Sequence, residues 1–346
     1  SRGGEDPEVF LVADPDDKGK NLYAWDRRLE EGAKGLGVST AMFGDLTPGM
    51  TYFLRLMARN SAGEVWTGVS SFVRTDPVLS DLPDVVGIWF DATDVDADDN
   101  PDGMGEGSFV STWADKSSFG RDMINKDGDP VIKLDGFDKK QVVDFDGNDR
   151  LRTTYNFRNN NAADWRAQGY TAFGISRYTG GKNGRVITSN GGNWLFGHHS
   201  NRVGRFYFDG WLDQAPNVNP DTNFHIFEAR HEGRNLASDP AATVWVDAIE
   251  GGYANGSKTG SNNSWFMPNN LSFGAMSSPT QESSKCQVAE FLMFHGMLSE
   301  EDRLKMEGYL AHKWGLSLPN THPWTNEKPT FGSTTVSGST HVFTSP

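Results

Sequence analysis

Two groups of residues in this chain have types and spacings suited to chemistry. The first is the acidic run Asp94-Val95-Asp96-Ala97-Asp98-Asp99-Asn100-Pro101-Asp102-Gly103. Oxygen ligands at alternate positions (Asp94, Asp96, Asp98, Asn100 and Asp102), with a glycine for a sharp turn, suit a hard divalent cation such as calcium. The run is not an EF-hand, because Phe109 stands where the bidentate Glu belongs and Glu106 comes too early. The expectation is a looser calcium site completed by backbone carbonyls or distant carboxylates. The alternative is a solvated acidic loop. The second group comprises Trp194, His198, His199, Tyr207, Trp211 and His225, with Trp245 and Trp265 further on. Aromatic rings stack on the C–H faces of sugars, and Asp, Asn, Arg and His bond their hydroxyls. Gly, Asn and Asp flank Trp194 and Trp211, which favours exposed loops. Trp194, His198, Tyr207 and Trp211 are therefore the expected ligand contacts, although any one tryptophan is more often a core residue. Neighbouring strand residues face opposite sides, so His198 and His199 are not expected to share a metal.

The formal net charge of −14 is unevenly spread. Residues 1–80 hold 9 Lys/Arg against 12 Asp/Glu, residues 81–149 hold 6 against 18, and residues 150–346 hold 17 against 16. An acidic balance argues against a duplex nucleic-acid partner, which needs a basic face, and against docking on an anionic membrane. No apolar run approaches the ~20 residues of a membrane helix. The chain starts at Ser1 rather than Met and is read as a processed product or a fragment. The single cysteine, Cys286, forms no internal disulfide and is expected in the core.

These side chains must be positioned by strands. Thr51–Arg59 alternates, Asn60-Ser61-Ala62-Gly63 turns, and Val65–Val73 returns. From residue 84 to 328, short strands separated by Gly/Asn/Ser turns are expected at Val85–Phe90, Gln141–Phe145, Tyr170–Tyr178, Arg185–Thr188, Trp194–His198, Arg205–Phe208, His225–Arg230, Thr243–Asp247, Leu271–Ala275 and Gln287–Phe294. That spacing is the signature of a jelly-roll β-sandwich. In Asp144-Phe145-Asp146-Gly147-Asn148-Asp149 a strand passes into a turn, with metal or ligand binding as the alternative. One helix is expected, with Ser299 as N-cap, Asp302 completing a capping box, a buried stripe at Met306, Leu310 and Trp314, and Gly315 as its stop.

Leu46–Tyr52 with Arg59–Glu64 resembles the last strands of a fibronectin type III domain, incomplete over residues 1–76. After a linker at 77–83, several segments resemble a concanavalin-A-like, laminin-G-like jelly-roll domain of bacterial surface proteins, over 84–328. They are Trp89-Phe90-Asp91-Ala92-Thr93-Asp94, Thr112-Trp113-Ala114-Asp115-Lys116-Ser117, Val143–Asp149, Ala289-Glu290-Phe291, Glu307–Leu316 and His322-Pro323. The resemblance implies an all-β fold: a jelly-roll sandwich with one C-terminal helix, preceded by a small fibronectin-like sandwich. Hydrolases of the jelly-roll kind carry two carboxylates on one strand about 5–5.5 Å apart, and no strand here presents them. The expected role is non-enzymatic: adhesion or glycan recognition outside the cell or on its surface, supported by calcium. A polysaccharide-active enzyme is the third reading. The second is a subunit or repeat of a surface filament: the β-rich tail 329–346 could open a following fibronectin-like domain in a longer tandem array, or supply the strand missing from the first domain of a neighbouring copy, joining copies head to tail.

Overall fold

The computed structural model describes residues 6–33, 51–73, 86–98, 104–117, 119–158, 169–208, 210–218, 221–232, 242–250, 267–277 and 281–329. The chain divides into two compact units, holding the described residues 6–73 and 86–329. The linker at 77–83, the turn before Thr51 and all but the first residue of the 329–346 tail, with its expected pairing between copies, lie outside the described residues.

In the first unit, β1 (Glu8–Asp14) lies between β2 (Arg27–Ala33) and β3 (Thr51–Asn60). Its small core gathers Phe10, Val12, Leu22, Trp25 and Met57. The expected return strand is broken in two, β4 (Gly63–Trp66) and β5 (Ser70–Val73), both paired to β3. The break falls at Thr67, whose hydroxyl accepts from Leu56 N at 3.0 Å while its own N–H donates to Leu56 O at 2.9 Å.

The second unit runs through β6 (Val86–Asp91), β7 (Thr112–Trp113), β8 (Met123–Asp127), β9 (Val131–Lys133), β10 (Val142–Asp146), β11 (Arg150–Thr153), β12 (Tyr170–Asn183) and β13 (Ile187–Asn190). It continues through β14 (Trp194–Phe196), β15 (Val203–Phe208), β16 (Trp211–Val218), β17 (His225–His231), β18 (Ala242–Val246), β19 (Ile249–Glu250), β20 (Asn270–Phe273) and β21 (Ser284–His295), then α1 (Glu300–Trp314). The inner sheet has the order β19-β18-β17-β12-β21-β10-β9, and β6 pairs with β21 beyond β10. The outer sheet has the order β16-β15-β14-β13-β20-β11-β8-β7. The fold is thus an all-β sandwich with a C-terminal helix. In this unit the strands not expected from the sequence, β7, β8, β9, β11, β16 and β19, are short or polar; in the first unit β1 and β2 are not expected either. In β8, Asn125, Lys126 and Asp127 follow the single buried residue Met123, so no apolar alternation marks it.

The inner sheet is covered on both sides. Val288, Phe291 and Met293 point into the core between the sheets, while Ala289, Leu292 and Phe294 join Met306, Leu310 and Trp314 under the helix. This explains why β21 is apolar on both faces from Val288 to Phe294 apart from Glu290. A bulge interrupts the alternation: Ser176 pairs with Val288 and Ile175 with Glu290, leaving Ala289 as the extra residue. Ala289 and Glu290 therefore share the helix-facing side. Cys286 is buried in the core, as expected.

Ser299 caps α1 by accepting from Asp302 N at 3.1 Å, and its hydroxyl donates to the Asp302 carboxylate at 2.7 Å. Gly315 ends the helix with φ +63°, and a Cβ there would lie 2.1 Å from the Phe137 ring. Both the left-handed backbone and the close approach call for glycine.

His225 clips the start of β17 to the turn after β18. Its Nδ1 lies 2.7 Å from Asp247 and its Nε2 3.0 Å from Asp221. Burial opposes the imidazolium, but hydrogen bonds and charge from Asp247 and Asp221 overcome it and raise the pKa to about 9. A raised folded pKa means that the clip's contribution is complete below the unfolded value of about 6.5 and is lost as pH rises through about 9. The melting temperature of the wild type is expected to fall over that window, and that of His225→Gln to fall less. An equal fall in both proteins, measured by calorimetry, contradicts the clip.

Candidate functional site

The motif segments read from the sequence meet beneath the helix. Lys313 Nζ lies 2.6 Å from Asp91 and 2.9 Å from Glu290. Trp314 Nε1 and Trp89 Nε1 donate to the two oxygens of Glu290 at 2.6 and 2.8 Å. Glu290 is on the helix side because of the bulge, and Asp91 because Ile88 and Phe90 turn the other way, into the inter-sheet core. Burial opposes the Asp91 charge, but Lys313 and Lys116 outweigh it and hold the carboxyl below its usual range. Burial, with the nearby Asp91 charge, pushes the Glu290 pKa upward, against the pull of Lys313 and the Trp314 indole. Asp115 accepts from Trp89 N and Ser117 N at 2.9 Å and from Arg121 N at 2.9 Å. The motif carboxylates are thus engaged in holding loops and helix, and this centre is scaffold.

The acidic loop begins at the same place. Among the described residues, Asp94, Asp96 and Asp98 bring one carboxylate oxygen each within 4.8 Å of one another. Asn100 and Asp102 lie outside the described residues. Asp96 and Asp98 are exposed, whereas Asp94 is buried and ion-paired to Lys116. Asp94 also accepts from Asp98 N at 3.1 Å. Three clustered carboxylates fit a hard cation, yet one already has an ammonium partner. A bound ion would share Asp94 with Lys116. In the Asp144–Asp149 segment, Asp146 N and Asp129 N donate to Asp149 at 2.6 and 2.8 Å, so its acids also brace turns.

The aromatic group does not form one site. Trp194 is fully buried in the inter-sheet core, stacked on Phe196, with Nε1 donating to the Tyr170 hydroxyl at 3.1 Å. Its glycine and asparagine neighbours form a tight turn on the way into a core strand. His198 is also fully buried, with ring centroids 4.5 Å from Tyr178 and 4.6 Å from Phe227. Burial holds its pKa far below the usual histidine range, so it is neutral. The expectation that Trp194 and His198 face a ligand is therefore corrected. Trp245 lies under the Arg303 guanidinium at 4.4 Å, and Trp265 is outside the described residues.

Tyr207 and Trp211 come together on the far face of the outer sheet. Phe206 and Phe208 point into the core, so alternation turns Arg205 and Tyr207 outward. Tyr207 pairs with Trp211 across the β15–β16 ladder, with ring centroids 5.2 Å apart. Arg205 lies over the Trp211 ring at 4.3 Å, and His199 flanks it at 5.2 Å. His199 bonds Glu282 at 3.2 Å, Glu282 pairs with Arg185 at 2.5 Å, and Arg185 donates to Asn193 at 2.8 Å. Burial lowers the His199 pKa despite Glu282. Trp211 remains 37% exposed. The patch offers an indole flanked by the Arg205 guanidinium and the His199 imidazole, with the Glu282 carboxylate behind His199. The Arg205–Tyr207 alternation was the legible sign of it. Arg185, Asn193 and Glu282 had none, because other strands and turns bring them there.

A groove of about 380 Å³ opens beside the helix N-terminus, lined by Arg230, Thr243, Trp245, Glu250, Met297 and Glu300. Its Glu300 is held by Arg303 at 2.6 Å and Arg230 at 3.5 Å. No helix among the described residues is long and apolar enough to cross a membrane.

No protein-family model matches the chain. No curated protein matches it either. Solved structures match loosely. Domain 4 of an extracellular GH43 arabinanase from Geobacillus stearothermophilus, in complex with arabinotriose, is 11% identical at a TM-score of 0.34, over 56% of this chain and 96% of that one. A botulinum neurotoxin type C structure, described by its dependence on two ganglioside molecules for cell entry, is 13% identical at 0.39, over 62% and 54%. A Trypanosoma rangeli sialidase mutant is 12% identical at 0.41, over 89% and 52%. The chain thus spans about half the length of the toxin and sialidase chains. Likenesses this loose say nothing about a ligand of this chain.

Proposed function

We propose that this protein is a non-enzymatic glycan-binding module that works outside the cell or on its surface, and that the Tyr207–Trp211 face carries the sugar. The observation behind this reading is an exposed indole ringed by Tyr207, His199 and Arg205 on a sheet whose other aromatics point inward. An open ring supplies the stacking surface, and the polar side chains around it supply hydroxyl contacts. The buried Glu228 and Glu307 are fully enclosed and offer no carboxyl to a substrate. Adhesion through the same surface belongs to this proposal. Calcium at Asp94, Asp96 and Asp98 is the second part of the proposal, as a brace for the loop after β6.

A glycan array followed by calorimetric titration of the best binder tests the first part. Trp211→Ala is expected to weaken binding at least tenfold, about 1.4 kcal/mol, with an unchanged melting temperature and no sugar released by the wild type. Equal binding by Trp211→Ala, or binding by neither protein, contradicts it. For the second part, millimolar calcium is expected to raise the melting temperature over that in EDTA, and Asp96→Asn with Asp98→Asn to abolish the rise. Identical melting in both buffers leaves Lys116 as the loop's cation and refutes a calcium site.

A further inference from the structure

The second buried charge cluster has more carboxylates than its cation can balance. Glu228 on β17 and Glu307 on α1 are both fully buried. A single guanidinium, that of Arg303, serves both, with Nη1 3.0 Å from each. The remaining nitrogens of Arg303 bind Glu300, Nε at 2.9 Å and Nη2 at 2.6 Å, and Glu300 is also paired with Arg230 at 3.5 Å. The Trp245 ring packs on the guanidinium at 4.4 Å. On the far side, His322 Nε2 lies 3.1 Å from the second oxygen of Glu307. Glu228 Oε1 and Glu307 Oε1 are both buried and accept no hydrogen bond among the described residues. A proton on one of them would turn two orphaned acceptors into a donor and an acceptor.

We propose that the native protein holds one proton between Glu228 and Glu307, and that this proton latches the N-terminal half of helix α1 onto the inner sheet. With Glu228 neutral, its hydroxyl donates to Glu307 while its carbonyl oxygen accepts from Arg303. The cluster then balances: Arg303 against Glu307, and Arg230 against Glu300. Without the proton, an uncompensated charge sits where water does not reach, which is costly. Burial and the neighbouring Glu307 push the Glu228 pKa upward against the pull of Arg303. A carboxyl raised in the folded state contributes stability that is complete below the unfolded value of about 4.3 and is lost as pH rises through the folded value. The latch therefore loosens toward alkaline pH. Glu300 and Met297 line the groove at this end of the helix, so its shape follows the latch. His322 is the competing place for the proton.

Glu228→Gln keeps a donor toward Glu307 and an acceptor for Arg303 without needing a proton. Thermal unfolding and amide exchange of residues 300–307 should be followed from pH 5 to pH 9. The His225 clip contributes the same sign, so the readout is the difference between wild type and variant. The wild type is expected to lose at least about 3 °C more than Glu228→Gln across that range, with faster exchange in the first turns of α1. His322→Gln, which keeps a donor on Glu307, is expected to retain the wild-type slope. Equal slopes in wild type and Glu228→Gln, or a slope abolished by His322→Gln instead, overturns the proposal. If Glu228→Gln does not fold, carboxyl carbon NMR of glutamate-labelled wild type decides: a Glu228 resonance at the protonated position at pH 7 supports the latch, and one at the ionised position overturns it.

Discussion

The second unit is organised around one ammonium group. Lys313 enters from the helix and meets Asp91 from β6 and Glu290 from β21, all out of water. Buried charges of this kind add little net stability over an apolar filling, but removing one partner strands the others. The geometry around Lys313 is therefore a constraint on its neighbours. The Ala289 bulge must put Glu290 on the helix side, Trp89 and Trp314 must supply indole N–H groups, and Gly315 must turn the chain away just after the lysine. Several motifs that look separate along the chain are one requirement in space.

The inner sheet, packed on both faces, serves this scaffold, and the proposed recognition surface lies on the outer sheet. The helix occupies one side of the inner sheet, and the core aromatics fill the other. The outer sheet turns Phe206, Phe208, Trp194 and Phe196 inward and keeps Arg205, Tyr207 and Trp211 on its far side. A ligand surface there can vary without disturbing the charge cluster. The acidic loop after β6 belongs to the scaffold side, since Lys116 links Asp94 to the same network.

Much of this was legible from periodicity. The helix, its cap and its stop were readable because Ser299, Asp302, Met306, Leu310, Trp314 and Gly315 stand at local spacings with local causes. The long inner strands were readable because burial on both faces leaves them mostly apolar over Tyr170–Ile175 and Val288–Phe294. Short polar strands such as β8 were not, because their identity comes from the partners they pair with. The same limit governed the site. Trp194 looked exposed because Gly191, Gly192 and Asn193 precede it, yet those residues only make the turn that delivers it into the core. Trp211 kept its exposure. Neighbouring residue types could not separate the two tryptophans, whereas strand pairing did. The carboxylates of the acidic run and of Asp144–Asp149 looked like candidate ligands, and the partners of Asp94 and Asp149 became visible only once distant segments met.

Lys313 thus ties the helix to the sandwich, and the proposed recognition face stands apart from this tie. Hydrogen exchange on Lys313→Met, read at helix α1 and at the Trp211 indole, tests it most directly. The expected result is a loss of about 3–5 kcal/mol in global stability, a sharp drop in helix protection, and an unchanged Trp211 signal. Unchanged helix protection in Lys313→Met would contradict it.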